Sequence, residues 1–254
     1  MQSQYSYLIS LMTWSFSRLR AYEDCGYSFF LRYIEEEEEV QHFYAEYGSL
    51  IHRILEQFYS GAITKEQALS KFMIGFVLDL PDEVKPSIVE KYYQQGKEYL
   101  SSLAMSKEKI VGIEEKFNFK VGDYPFVGFV DLLLEDENGL IIQDHKSHIL
   151  RRGTKKQEEE FDSFAKQLYL YSAGIEQKYG RLPYKLRFNC FRDGTMPEEM
   201  FNESKYEETK QWALDTISRI EQESKWEPAL EWFKCRYICG FSDSCEYNEM
   251  IQGG

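Results

Sequence analysis

Gly128-Phe129-Val130-Asp131 and, ten positions on, Ile141-Ile142-Gln143-Asp144-His145-Lys146 decide how this chain is read. Both are apolar runs that end in charge. Side chains of a strand alternate between faces, so Asp144 and Lys146 share one. Asp136-Glu137-Asn138-Gly139 has the composition of a hairpin turn, which makes the two runs neighbours. Asp131 and Asp144 then converge, and paired carboxylate oxygens suit Mg²⁺ or Mn²⁺. Lys146 would orient or deprotonate a water, or steady charge developing on a phosphate. The competing reading is a structural Asp–Lys ion pair at a sheet edge, because such a pair on an apolar strand needs partners in either case.

Working outward, Lys109 to Val121 alternates and meets the turn Gly122-Asp123, so a three-strand meander is expected over Lys109–Val121, Tyr124–Glu135 and Gly139–Ser147. Tyr184–Arg192 reads as a fourth strand and Met196–Phe201 as a short fifth. Helical periodicity predicts helices over Ser15–Tyr33, Ala45–Tyr59, Lys65–Leu78, Asp82–Leu103, Glu158–Tyr179 and Tyr206–Ser224, with Pro81 separating two of them. This order predicts a mixed α/β (α+β) fold around one central sheet flanked by helices. The 254 residues, 43% apolar, suit a single domain, 1–254. Within it lie a helical part (15–108), a sheet core carrying the chemistry (109–202), and a helix with a cysteine-bearing tail (203–254).

No apolar run reaches the roughly 18 residues of a membrane span, and Met1–Met12 has neither a basic region nor a cleavage site. A cytoplasmic protein is expected. The net charge of −13 argues against non-specific coating of duplex DNA. The acidic runs Glu35–Glu39 and Glu158–Glu160 read as solvated surface, which leaves room for a narrow basic groove. Arg151, Arg152, Lys155 and Lys156 are the candidate phosphate contacts, or else an ordinary basic loop.

Four of the five cysteines sit at the chain's ends: Cys25, and Cys235, Cys239 and Cys245 within eleven residues. In a reducing compartment such clustering points to metal rather than disulfides. Four thiolates suit an iron–sulfur cluster or a structural zinc, and either would join the first helix to the tail. Cys190, inside a strand pattern, reads as a core thiol. His52 falls on the apolar side of its helix, as a core residue or as a nitrogen ligand to the same cation. Gln167 and Tyr171, four apart, share a helix face, as a helix rim or as contacts to phosphate or Lys146.

Taken together, these residues resemble a RecB-type nuclease of the PD-(D/E)XK superfamily. The resemblance is to its iron–sulfur subgroup, the AddB nuclease domain and the CRISPR-associated adaptation exonucleases (the fourth Cas family). It runs from Ser15 to Cys245. Ser15, Ser17, Leu19, Tyr22 and Cys25 match the opening segment; Gly48 and His52, Gly128 and Asp131, Asp144 and Lys146, and Gln167 and Tyr171 match the motifs that follow, in order. The resemblance implies a restriction-endonuclease-like core. It implies a metal held by His52, Asp131, Asp144 and the backbone carbonyl of His145, with Lys146 catalytic and Glu114 or Glu115 as the early acid. It also implies a 4Fe–4S cluster on Cys25, Cys235, Cys239 and Cys245. The activity implied is exonuclease cleavage of single-stranded DNA or overhangs, in CRISPR adaptation, recombination and repair, or a phage context, with an integrase, helicase or recombination subunit as partner. A DNA-end-binding or assembly subunit is the competing function. The sequence departs from the pattern at one place: three residues rather than two separate Cys235 from Cys239, and Gly240 stands where proline is usual.

Overall fold

A computed structural model describes residues 5–80 and 84–248. Six helices come first: α1 (Ser6–Ser10), α2 (Phe16–Asp24), α3 (Gly26–Tyr33), α4 (Phe43–Tyr59), α5 (Lys65–Leu78) and α6 (Pro86–Ser101). The strands β1 (Lys109–Val121), β2 (Tyr124–Asp136) and β3 (Gly139–Lys146) follow, then α7 (Lys155–Tyr179), β4 (Lys185–Cys190), β5 (Glu198–Met200), α8 (Glu203–Gln222) and α9 (Trp232–Tyr237).

The helix expected over Ser15–Tyr33 is two helices. Cys25 takes an extended conformation between them, and its Sγ caps α3 by accepting the Ser28 N–H. The helix expected from Asp82 starts at Pro86, with proline at its first position, where no intrahelical N–H bond is lost. Pro81 and Asp82 lie outside the described residues. The helix expected from Glu158 starts at Lys155, because Thr154 and Gln157 close a capping box. That places Lys155 and Lys156 on its first turn.

The strands form one sheet in the order β1-β2-β3-β4-β5. The first three are an antiparallel meander; β4 lies parallel to β3 after the α7 crossover, and β5 is antiparallel to β4. One face of the sheet buries Leu132, Leu134 and Ile141 against Ile51, Leu55 and Phe72 from α4 and α5. The other buries Val130, Ile142 and Phe188 against Phe161, Leu168 and Ile217 from α7 and α8. The result is helix, sheet, helix in three layers, as the alternation of elements predicts. Among the described residues no helix is long and apolar enough to cross a membrane.

Candidate active site

The acids of the site form a row across three strands. The β2–β3 ladder ends at Leu132 and Gln143. One step further Asp131 and Asp144 would face each other, but the strands part there. Asp131 Oδ2 instead accepts the backbone N–H of His145 at 2.6 Å. On the other side of β2, the pairs Ile113–Leu132 and Glu115–Val130 bracket Glu114 and set it beside Asp131. Glu114 has φ 45°, a left-handed conformation that costs a non-glycine residue on the order of 1 kcal/mol or more.

From the opposite side α4 delivers His52. Its Nδ1 lies 3.6 Å from Asp131 Oδ2, and its Nε2–H donates to the His145 carbonyl at 2.9 Å. Ligand atoms of His52, Glu114 and Asp131 all lie within 4.8 Å of one another. His52 and Glu114 border a cavity of about 500 Å³ that also touches Tyr44, Gly48, Arg53, Glu56 and Ser147, and buried Asp131 lies just behind them. Sequence reasoning missed Glu56, although its signal was present: it stands four residues after His52 and so on the same helix face.

Electrostatics define what this cavity suits. Burial, and then repulsion from Asp144, push the Asp131 carboxyl well above the usual carboxylate range. Burial, then Glu56 and Asp144, push Glu114 upward as well. Burial holds His52 below the usual imidazole range despite the pull of Asp144, so it stays neutral with a lone pair to offer. Acids crowded beside a neutral imidazole, with Lys146 as their near counter-charge on the Asp144 side, are a donor set that a divalent cation relieves.

The second half of the site lies on the α7 side. Lys146 Nζ is 2.9 Å from Asp144 Oδ2 and donates to Gln167 Oε1 at 2.9 Å. Gln167 therefore aims the lysine. One turn on, the Tyr171 ring lies over Gly128: a Cβ there would come within 2.6 Å of a ring carbon. The two motifs that contain Gly128 and Tyr171 are thus one packing unit. Burial, and then the Asp144 charge, raise the Tyr171 hydroxyl beyond its usual range and keep it protonated.

Residues 13–246 match the family model of the PD-(D/E)XK nuclease superfamily. The chain belongs to that superfamily. The chain matches no curated protein. The five-stranded mixed sheet flanked by helices is the restriction-endonuclease-like core of PD-(D/E)XK nucleases, which hydrolyse nucleic acid with Mg²⁺ or Mn²⁺ and bind DNA.

Within this PD-(D/E)XK site several expectations sharpen. Of the two candidate early acids, Glu114 joins the cavity, while Glu115 is held on the outer side by Lys178 and by the Tyr179 hydroxyl at 3.0 Å. His145 serves the site through its backbone, its N–H bonded to Asp131 and its carbonyl to His52. Its ring stacks on Tyr59 (5.8 Å, 10°), and its Nδ1 accepts from Asn189 Nδ2 at 2.8 Å. Asp144 stands one step back from the His52–Glu114–Asp131 group, against Lys146. Two of the four candidate phosphate contacts are already neutralised: Arg151 pairs with Asp193 at 2.7 Å, and Arg152 with Glu158 at 2.6 Å. Lys155 is exposed and 3.7 Å from Glu159, and Lys156 is exposed.

The four end cysteines come together as free thiols, with Cys190 apart and buried in β4. Burial, and then the neighbouring thiols, raise Cys239 and Cys245. Cys25 Sγ accepts backbone N–H bonds from Ser28 and Ala229, both at 3.4 Å, as a thiolate ligand would. The widened spacing has a structural basis. Cys235 lies in α9, which ends at Tyr237, and Cys239 follows just past the helix end, its N–H donating to the Lys234 carbonyl at 2.7 Å. Gly240 is required by contact: a Cβ would run into Glu39 and, at 2.6 Å, the Val40 carbonyl oxygen. The Val40 N–H donates to the Gly240 carbonyl at 2.9 Å, so the end of the glutamate run braces the tail rather than standing wholly in solvent.

Proposed function

We propose that this chain is a metal-dependent DNA exonuclease acting on single-stranded DNA or overhang-bearing ends. The observation that carries the reading is the convergence of ligand atoms of His52, Glu114 and Asp131 within 4.8 Å of one another, with Lys146 held by Asp144 and Gln167 on the adjoining strand. His52, Asp131, Asp144 and the His145 carbonyl would hold Mn²⁺ or Mg²⁺, with Glu114 as the early acid. When bound, such a cation polarises the phosphodiester and makes a nucleophile of water at neutral pH. The chain's own residues do the rest. Burial keeps His52 an electron-pair donor. Lys146 sits where an ammonium steadies charge developing on the phosphate or orients the attacking water. Tyr171, packed on Gly128, fixes the height of α7 above the strands and so the reach of Gln167.

Cys25, Cys235, Cys239 and Cys245 would hold a 4Fe–4S cluster that closes the tail onto α3. A single zinc needs sulfur–sulfur distances of about 3.8 Å, from a bond of roughly 2.3 Å in a tetrahedron. Among the described residues no three thiol sulfurs lie within 4.8 Å of one another, a wider spacing that favours a cluster. The setting is cytoplasmic, in CRISPR adaptation, recombination and repair, or a phage system. The acidic surface would dock an integrase, helicase or recombination subunit.

Purified protein should degrade linear single-stranded DNA when Mn²⁺ is supplied. Lys146→Ala should remove that activity by a factor of about 10³ while leaving the thermal midpoint in place. Full activity in the folded variant ends the assignment. Anaerobically purified protein should be brown, with a broad band near about 400 nm; a colourless, zinc-containing protein replaces the cluster and leaves the nuclease reading intact.

A further inference from the structure

The metal cavity does not end at His52. Tyr44, two turns earlier on α4 and about 12 Å along it, borders the same cavity. Its ring meets Phe233 on α9 at 6.4 Å; Phe233 meets Tyr237 at 5.4 Å, and Tyr237 meets Trp232 at 5.6 Å. Two of these rings are wastefully placed for a folded core: Trp232 is 56% exposed and Phe233 46%. No residue of α9 is buried, although its backbone is pinned by the cysteine loop on one side. Arg236, exposed beside them, has no ion pair among the described residues.

The charge of the molecule makes this row more informative. A chain of net charge −13 whose Arg151 and Arg152 are paired to its own acids has little to offer phosphates at long range. Affinity for nucleic acid then has to come from base stacking, which is tolerant of sequence and requires unpaired bases. An open row of four rings continuous with the metal cavity supplies that.

We infer that Tyr44, Phe233, Tyr237 and Trp232 are a stacking platform that leads single-stranded DNA into the metal site. The inference rests on the nuclease reading above and adds the surface that selects single strands. The cysteine loop then has a second role, presenting α9 to the substrate.

The test measures binding of a labelled oligothymidylate with Ca²⁺ in place of Mn²⁺, so that binding is read without cleavage. Phe233→Leu keeps apolar volume and removes the π face; Trp232→Ala truncates the outermost ring. Each should weaken single-strand binding by about 5- to 100-fold, the range for one lost base stack. Phe233→Trp should keep the wild-type affinity. Hydrolysis of thymidine 5′-p-nitrophenyl phosphate with Mn²⁺, which is too short to reach the platform, should not change in any of them. Wild-type affinity for the oligonucleotide in folded Phe233→Leu and Trp232→Ala overturns the inference and assigns the patch to a protein partner. Equal losses for the short ester also overturn it, since the variants then act through the metal site. If the wild type hydrolyses neither substrate, the nuclease reading itself falls; if it cleaves single strands and the variants match it, only the platform falls.

Discussion

The acidic cleft and the cysteine clasp each gather candidate metal ligands, and they do so by opposite means. In the cleft the acids stand within about thirty residues of one another, on three adjacent strands whose ladder sets their spacing. The clasp joins Cys25 to a tail some 210 residues away through short helices, a few backbone hydrogen bonds and an aromatic stack of Trp226 on Phe29 at 5.6 Å. A ladder holds its side chains in place without the cation, at the cost of carboxyls pushed out of their normal range. A clasp of short elements has no such frame, so what binds there has to supply the order. The cleft should therefore be preformed and the clasp ligand-dependent.

The largest expected effect follows from that contrast. Cys25→Ser should abolish iron retention and lower stability by on the order of 5 kcal/mol, because ligand binding at such a site is folding free energy. The checks are metal analysis and thermal melting; a variant that melts like the wild type means that the clasp holds without its ligand. Next comes the cleft. Mn²⁺ at about a hundred times its Kd should stabilise the wild type by about 2.7 kcal/mol. Asp131→Asn should lose that gain yet fold as well without metal, since it keeps an oxygen for the His145 N–H and removes a carboxyl that burial and Asp144 disfavour. A metal-induced shift that survives the substitution would move the cation elsewhere.

Gly128→Ala should cost about 1–3 kcal/mol, because the new methyl enters the Tyr171 ring. It should lower kcat more than KM, as α7 lifts Gln167 away from Lys146. Unchanged kcat would mean that Tyr171 and Gln167 are structural only.

The smallest effect concerns pH and belongs to the clasp. Burial pushes the Glu223 carboxyl up, but bonds from the backbone of Lys225, the Tyr22 hydroxyl, and the backbone of Ser224 and Trp226 outweigh it and hold it below the usual range. A depressed acid contributes stability above its unfolded value, and that contribution is lost as pH falls through the folded one. Melting of the wild type below about pH 4.3 should thus be steeper in pH than that of Glu223→Gln. Parallel curves would show that the Tyr22–Glu223 bond does not hold the tail.

Much of the cleft was legible in the sequence because its determinants are local. Period-two alternation marked the three strands, and apolar runs ending in charge marked Asp131, Asp144 and Lys146. What could not be read is non-local or conformational. Nothing in the sequence separates Glu114 from Glu115; a positive φ and the Lys178 partner do. The neutralising partners of Arg151 and Arg152 include Asp193 and Glu199, some forty residues away. The break at Cys25 was hidden because both halves are helical by pattern, and the short α1 and α9 carry too few turns to show a period. The fourfold cysteine set was visible from residue type alone, yet its spacing made sense only once α9 was seen to occupy the gap.

One feature of the cleft reaches beyond ligand geometry. The β2–β3 ladder stops at Leu132 and Gln143, whereas the β3–β4 ladder continues to Lys146 and Cys190. Asp144 and Lys146 are therefore moored to one bank of a notch and Asp131 to the other, with the His145 N–H and the His52 ring strung across. The notch can gape by straining these few side-chain contacts while every ladder behind it stays shut. A severed strand gains a way out that does not disturb the core, and the lysine travels with Asp144 on β3 rather than with Asp131 and Glu114.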